Sequence, residues 1–417
     1  MKIAFRQDVL VDLLTRGSLA SLLEVPNEDD GSGVALLRRM IKIVVNDKAV
    51  EITSYSDRLA AKYSINISKE NAIILKETGS IAVLAKDLID WVKAQDKNST
   101  IGFNLHIFDS PQPIRDNDSE KMTVFRIGSV KVVSKDGHKT VSQREFDCYD
   151  PEQVKSGLNN QTTQKCFEID VIELKNAFQK GCCAATKVDY QNKYNNVYIQ
   201  LQNDHLYFFT VDVDKCARYK LAISGAIEYK EPLVVPYVLL DHVLKAIGEN
   251  EKVEFRYGEN KLFIHQGAFI AKLNIIPNVN LSMKIFGRAF EELATVSKAV
   301  LTQMFNSSSL VNKDCVMLNF NKKDINLTIK AISETGRHKP STANTTIDSV
   351  NKDLRIILGV TSVQTCLKVM KSEVIRLYYS CESNKPNIIK ITSDTESNFE
   401  YSIPCLQNAL YDEKHES

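Results

Sequence analysis

One order of elements recurs three times along the 417-residue chain, and this recurrence constrains the fold more than any single motif does. Each round reads as an amphipathic helix, a strand hairpin, a second helix and further strands. The hairpins are IKIVVNDKAVEIT from Ile41, VYIQLQNDHLYFF from Val197 and VMLNFNKKDINLTIK from Val316. In each, alternating apolar and polar residues flank a turn of Asn, Asp or Lys, the pattern of two strands with a buried face. The repetition lies in the order of elements; the residues themselves are not repeated.

The helices carry the 3.6-residue period. Those before the hairpins are RQDVLVDLLTRG from Arg6, DVIELKNAFQKGCCAAT from Asp170 and SKAVLTQMFNSSS from Ser297; those after them are LAKDLIDWVKAQ from Leu84, PYVLLDHVLKAI from Pro236 and GVTSVQTCLKVMK from Gly359. At about 100° per residue, Val171, Leu174, Phe178, Cys182 and Ala185 share one face, with Lys180 and Lys187 opposite. Leu240, Val243, Leu244 and Ile247 form another core face, with His242 and Lys245 outward. Lys86, Lys93 and Lys97 lie away from Leu88 and Val92, whereas Lys368 sits beside the stripe of Val363, Leu367 and Met370. The strands IGFNLHIF from Ile101, KVEFRYG from Lys252 and VIRLYYS from Val374 follow the second helices. Each round is therefore an α+β unit, two helices packed on antiparallel sheets.

The length exceeds what one compact core usually holds, so the rounds are expected as domains: 1–160 with insertions, 161–280 and 281–406, followed by a mobile C-terminal tail at 407–417. Four polar, turn-rich stretches read as surface loops: EVPNEDDGSG from Glu24, DSPQPIRDNDSEK from Asp109, DPEQVKSGLNNQTTQK from Asp150 and ETGRHKPSTANTT from Glu334. The Asp150 stretch is the expected linker between the first two rounds, and a second boundary follows Pro277.

Charge narrows the function classes. The 53 basic and 52 acidic residues leave a net charge of +1, so nucleic acid cannot be held by bulk attraction and any such contact needs segregated charge. The nine cysteines show neither a CxxC pair nor a zinc-like Cys/His spacing, and they read as reduced thiols of a cytoplasmic protein. Arg6, Asp8 and Asp12 interrupt the N-terminal apolar residues, which argues against a signal peptide, and no apolar run approaches the roughly 20 residues that span a bilayer.

No GxxxxGK[ST], GxGxxG after a strand, HExxH or GxSxG occurs, so neither catalysis nor a cofactor is expected. Asp212 and Asp214 read as alternating strand residues on one solvent-facing side. His242 reads as a surface residue and Trp91 as core.

The threefold order, with the opening MKIAFRQDVLVDLL, the middle run from FEIDVIELKNAF through YNNVYIQLQNDHLYFFTVD and VVPYVLLDHVLKAI to Pro277, and the ending YSIPCL, resembles the bacterial-type DNA sliding clamp, the beta subunit of replicative DNA polymerase. The resemblance covers nearly the whole chain and marks a divergent member, of bacterial, phage or plasmid origin. It implies a homodimer closed head to tail into a ring around double-stranded DNA, a processivity factor tethering a DNA polymerase. Lys86, Lys93, Lys180, Lys187 and Lys245 would then meet phosphates without reading bases.

The resemblance also implies a pocket for short peptide motifs of the polymerase and clamp loader, at Val211, Asp212, Val213, Lys215, Cys216, Pro277, Ile403, Pro404, Cys405 and Leu406. The chain departs from the family here. Where the family usually reads Thr-Asp-Gly-His-Arg-Leu, this chain has VDVDKC from Val211, and the usual Phe-Pro-x-Tyr becomes Ile276-Pro277-Asn278-Val279. Two other readings remain open: a clamp-fold scaffold that does not encircle DNA, and, for Ile403 to Leu406, an edge strand that only closes a core.

Overall fold

The computed structural model describes residues 1–23, 33–114, 123–158, 163–185, 195–202, 204–223, 232–249, 251–277, 286–333, 339–382 and 386–407. The helices among them are α1 (Gln7–Gly17), α2 (Gly33–Arg38), α3 (Ala85–Lys93), α4 (Val171–Gly181), α5 (Tyr237–Ala246), α6 (Lys298–Ser309) and α7 (Val360–Val369). The three expected hairpins form at Met40–Val45 with Ala49–Tyr55, Asn196–Gln202 with His205–Val211, and Cys315–Asn321 with Asn326–Ala331. The turn of the first is local. Asn46 Oδ1 accepts the amides of Lys48 and Ala49 at 2.9 and 2.8 Å, an Asx turn.

Contacts divide the chain into two compact units, Met1–Val171 with Leu239–Ile275, and Ile172–Val238 with Ile276–Ser417. The division differs from the order of the rounds because sheets run continuously from one round into the next. In the first unit, Phe269–Asn274 pairs antiparallel with Leu59–Asn66, joining the last strands of the middle round to the strand that follows the first hairpin in a 13-stranded sheet. In the second, Cys216–Ala222 pairs with Phe399–Pro404, joining the middle hairpin to the final strands in a nine-stranded sheet. A four-stranded sheet, Ser341–Thr346, Asn326–Ala331, Cys315–Asn321 and Leu354–Gly359 in that order, completes the second unit.

The cores follow from the periodicity. In the first unit Leu10, Leu13 and Leu14 of α1 and Leu88, Ile89 and Val92 of α3 bury against Phe5, Ile41, Ile43, Ile52 and Phe103. Each such side chain contributes about 1.5–3 kcal/mol by leaving water. Trp91 is half-buried at the margin of this core, edge-on to Phe146 at 6.2 Å. In the second unit Leu301, Phe305 and Val363 of α6 and α7 meet Leu318, Phe320, Ile356, Leu358, Leu377 and Ile391.

Two stretches expected as loops are partly strand. Thr100–Ile114 continues through Asp109, with Gln112, Pro113 and Ile114 opposite Arg126, Phe125 and Val124. Among the described residues this strand is paired on one side only beyond Leu105, and the missing amides of Pro111 and Pro113 are tolerated on such an edge. Ser341–Thr346 likewise pairs with Asn326–Ala331 as the outer strand of its sheet. Pairing with a committed neighbour outweighs polar composition. The stretch from Glu24 to Ser32 and the tail from Asn408 onward lie outside the described residues.

The Asp150 stretch has no regular structure between Pro151 and Leu158 and is fastened at Gly157. Gly157 has φ +61°, its carbonyl accepts the buried ammonium of Lys272, and a Cβ there would overlap the Tyr55 ring. Gly157→Ala therefore combines backbone strain with a clash against a packed ring. We expect a loss of about 2–4 kcal/mol, read as a lower denaturant midpoint with an unchanged slope.

Candidate functional site

Two sets of residues carry functional expectations, the outward faces of the helices and the cluster where the final strand meets the middle hairpin. On α3, Lys86 and Lys93 are exposed, as is Lys97 beyond its end, but Asp87 and Asp90 share that solvent side. On α5, Lys245 projects with 72% of its side chain exposed and pairs with Asp241 at 2.7 Å, one turn earlier. Lys187 lies outside the described residues.

Lys180 corrects the helical projection. It is buried, its side chain 6% exposed, with Nζ 2.5 Å from a carboxylate oxygen of Glu396, itself 8% exposed, and 5.5 Å from the Tyr219 ring centre. A carboxylate brought in from 216 residues along the chain draws the lysine inward, which no projection of one helix anticipates. Lys180 is thus removed from the outward basic face. His242 is a second correction: it is half-buried, with Nε2 3.1 Å from the Leu19 carbonyl oxygen. Burial, more than any other influence, lowers its pKa.

The final strand, Phe399–Pro404, is not an edge. It lies between Cys216–Ala222 and Ile388–Thr392, with Cys216 opposite Ser402 and Arg218 opposite Glu400. Arg218 and Glu400 form an ion pair at 2.6 Å, and the guanidinium lies 4.7 Å from the Phe286 ring centre. Ile403 is buried at 1% exposure, Pro404 and Cys405 are half-buried, and Leu406 is 37% exposed. The amide of Cys405 donates to the Asn387 carbonyl at 2.8 Å and that of Leu406 to the Ile357 carbonyl at 2.9 Å.

Val211 ends the strand that precedes this cluster, and Asp212 to Lys215 turn the chain into Cys216. The expectation that Asp212 and Asp214 alternate on one strand is therefore corrected: the amide of Asp212 donates to the Lys215 carbonyl at 2.8 Å, closing a turn. Lys215 Nζ sits 3.6 Å from Asp212 and 3.5 Å from Asp214, and Ser362 Oγ in the first turn of α7 donates to Asp214 Oδ2 at 2.7 Å. Val213 is 73% exposed at the apex. Val211 and Ile276 pack on a small cluster of Tyr198, Phe209 and Val234, with Phe286 closing over it and Pro277 exposed beside it.

The turn and the final strand thus meet at the start of α7, and Pro277 joins them through Ile276 and Val211. Sequence reasoning missed Ser362, Phe286, Arg218 and Glu400. Only the pairing of Cys216–Ala222 with a strand about 180 residues away brings Arg218 to Glu400, while Ser362 and Phe286 reach the cluster through Asp214 and Phe209, and the local sequence carries no signal for any of these contacts.

The cysteines of the cluster are not activated. Burial pushes the Cys216 thiol up to about 12, and burial followed by the nearby Cys381 does the same to Cys405, so neither is an activated thiolate at neutral pH. No disulfide joins any of the nine cysteines. Among the described residues no group of three or more His, Cys, Asp or Glu is placed to hold a metal ion, and no helix is long and apolar enough to cross a membrane.

No protein-family model and no curated protein matches the sequence. Solved structures do match the fold. The DNA polymerase sliding clamp from Bacillus subtilis aligns with 98% of this chain and 99% of its own at a TM-score of 0.78 and 15% identity. The DNA polymerase III beta chain from Streptococcus pneumoniae aligns with 98% and 100% at 0.78 and 16% identity. The beta subunit from Pseudomonas aeruginosa aligns with 98% and 100% at 0.76 and 13% identity. The chain has the three-domain fold of the bacterial DNA sliding clamp, the beta subunit of DNA polymerase III.

Proposed function

We propose that this chain is a sliding clamp: a non-catalytic homodimer in the cytoplasm that encircles duplex DNA and tethers a DNA polymerase. The likeness of 98% of the chain to sliding clamps carries this reading. Its domains are taken as 1–160, 161–280 and 281–406. Lys86, Lys93 and Lys245 are the described candidates for phosphate contact, sufficient for sequence-independent sliding because backbone contacts carry no base information. The cluster of Val211 to Cys216, Pro277 and Ile403 to Leu406 is the proposed docking pocket for short peptide segments of the polymerase and the clamp loader.

Two features support head-to-tail closure. Among the described residues the strand Lys139–Tyr149 is paired along its length on one side only, meeting its other neighbour at Ala82↔Tyr149, and its Val141 is exposed. In the last round, Leu310 is exposed just beyond α6. An open strand edge and an exposed leucine invite a second copy. Sedimentation equilibrium should give a species of twice the 47.0 kDa chain. A monomer at micromolar concentration would rule out the closed dimer.

One observation favours a second reading, a clamp-fold scaffold that does not encircle DNA. Lys180 is buried, the one cation of α6, Lys298, is only partly exposed and donates to the Met370 carbonyl, and Asp87, Asp90 and Asp241 accompany the exposed lysines of α3 and α5. The outward faces of α3 and α5 are close to electrically balanced. On the scaffold reading the protein binds partner peptides yet never remains on closed circular DNA.

A further inference from the structure

We propose that the pocket at the start of α7 selects partner peptides carrying a lysine or arginine beside their apolar anchors, with Asp214 as the selecting residue. The inference rests on the reading of this cluster as a peptide pocket. It goes beyond that reading by assigning the charge of the partner.

The exposed apolar groups are Val213, at the apex of the turn, and Leu406, where the final strand ends. Both are tied to the same end of α7. Asp214 is bonded to Ser362 in its first turn, and Leu406 is bonded to Ile357 in the strand that leads into it. Ile357 itself packs on the buried pair Cys315 and Met317.

The charge at this place departs from the usual loop, in which one Asp is accompanied by His and Arg. Here Asp212 and Asp214 both lie beside Lys215, two carboxylates to one cation within the turn. The two carboxylates are not equivalent. Asp212 is largely covered, its side chain 11% exposed, and Oδ1 accepts the Val213 amide at 2.7 Å. Asp214 is 45% exposed and is held by the Ser362 hydroxyl at 2.7 Å, with Lys215 only at 3.5 Å. It is therefore a fixed carboxylate, open to solvent and adjacent to the exposed Val213. A peptide cation beside an apolar anchor meets it without the carboxylate having to be reoriented, whereas a peptide carboxylate there faces like charge.

The test uses the full-length protein and two short fluorescein-labelled peptides that share the same pair of leucines, one flanked by lysines and the other by glutamates. Fluorescence anisotropy should show the lysine peptide binding about three- to fivefold tighter at low salt, the scale of a partly exposed ion pair, with the preference shrinking near 0.5 M salt. Asp214→Asn, checked by thermal melting to be folded, should bring the two peptides to equal affinity. Ser362→Ala, which keeps the carboxylate, should retain the preference. Leu406→Asp should weaken both peptides.

Equal binding of the two peptides, or a preference that survives Asp214→Asn, overturns the assignment of charge while leaving the pocket intact. Failure of both peptides to bind overturns the pocket reading and the charge assignment with it.

Discussion

Lys180→Ala is expected to destabilise the protein by about 3–5 kcal/mol, a loss far beyond that of an ordinary surface lysine, because it strands a charge in the interior. Glu396 sits at the turn that launches the final strand, where it accepts the amides of Lys371 and Ser372 at 2.8 and 2.9 Å and the ammonium of Lys180 at 2.5 Å. It therefore ties α4, the end of α7 and the start of the last strand together. Without Lys180 the carboxylate must remain charged without its cation or take up a proton, and both weaken the knot. The paired replacement Lys180→Met with Glu396→Gln removes both charges and should cost much less than the single change. Urea unfolding of the three proteins measures the difference. A loss under about 1 kcal/mol for Lys180→Ala would mean that the pair is not buried in solution.

The same pair gives the sign of an acid effect. Burial is the largest influence on Glu396 and raises its pKa, but the hydrogen bond from Lys180 and those from the Ser372 and Lys371 amides outweigh it, so the group lies below its ordinary value of 4.5. A carboxylate whose pKa is lower in the folded chain contributes stability above its unfolded value. That contribution disappears as pH falls through the folded value. The stability of the wild type should therefore decline as pH falls below the ordinary glutamate range.

Ile403→Asp is expected to have an effect at least as large, of about 4 kcal/mol or more, because it places a carboxylate where the isoleucine is 1% exposed within an interior strand. The strand has neighbours on both sides, and Ile403 lies directly opposite Ile389. Disturbing it should unzip the nine-stranded sheet where the middle hairpin joins the last strands, visible as lost soluble yield and a broadened thermal transition. Ile403→Val, which deletes one methylene group, should cost only about 1 kcal/mol. If Ile403→Asp folds with near-native stability, the strand is not the suture described here.

Local order was legible in the sequence wherever one side of an element meets a core. The alternation from Ile41, Val197 and Val316 marks hairpins because the strand period of two is printed directly in the residues. The expected strands at Ile101, Lys252 and Val374 also form. Strand extensions such as Asp109 to Ile114 were not legible, because a polar, proline-containing stretch becomes a strand only when a neighbour offers a ladder.

The site was legible only in part. The pairing of Cys216 with Ser402 brings the stretches from Val211 to Cys216 and from Ile403 to Leu406 together, but the local pattern misread their backbone. Ile403 is a core residue of an interior strand, and Asp214 is a turn residue locked to α7. Lys180 shows why. Its helical position points away from Val171, Leu174 and Phe178, yet a distant carboxylate completes a second interface there. A helical projection locates the face that meets its own core; it cannot locate a partner supplied by another part of the chain.

Retention on DNA after loading tests the central claim most directly. The protein is loaded by a clamp loader onto a nicked circular plasmid and followed by gel filtration before and after the plasmid is linearised. A ring that encloses the duplex should stay on the circle through washing at about 0.5 M salt, where phosphate contacts are screened, and should run off once a free end is cut. Equal loss from circular and linear DNA, together with a monomeric mass, would contradict the ring and leave the scaffold.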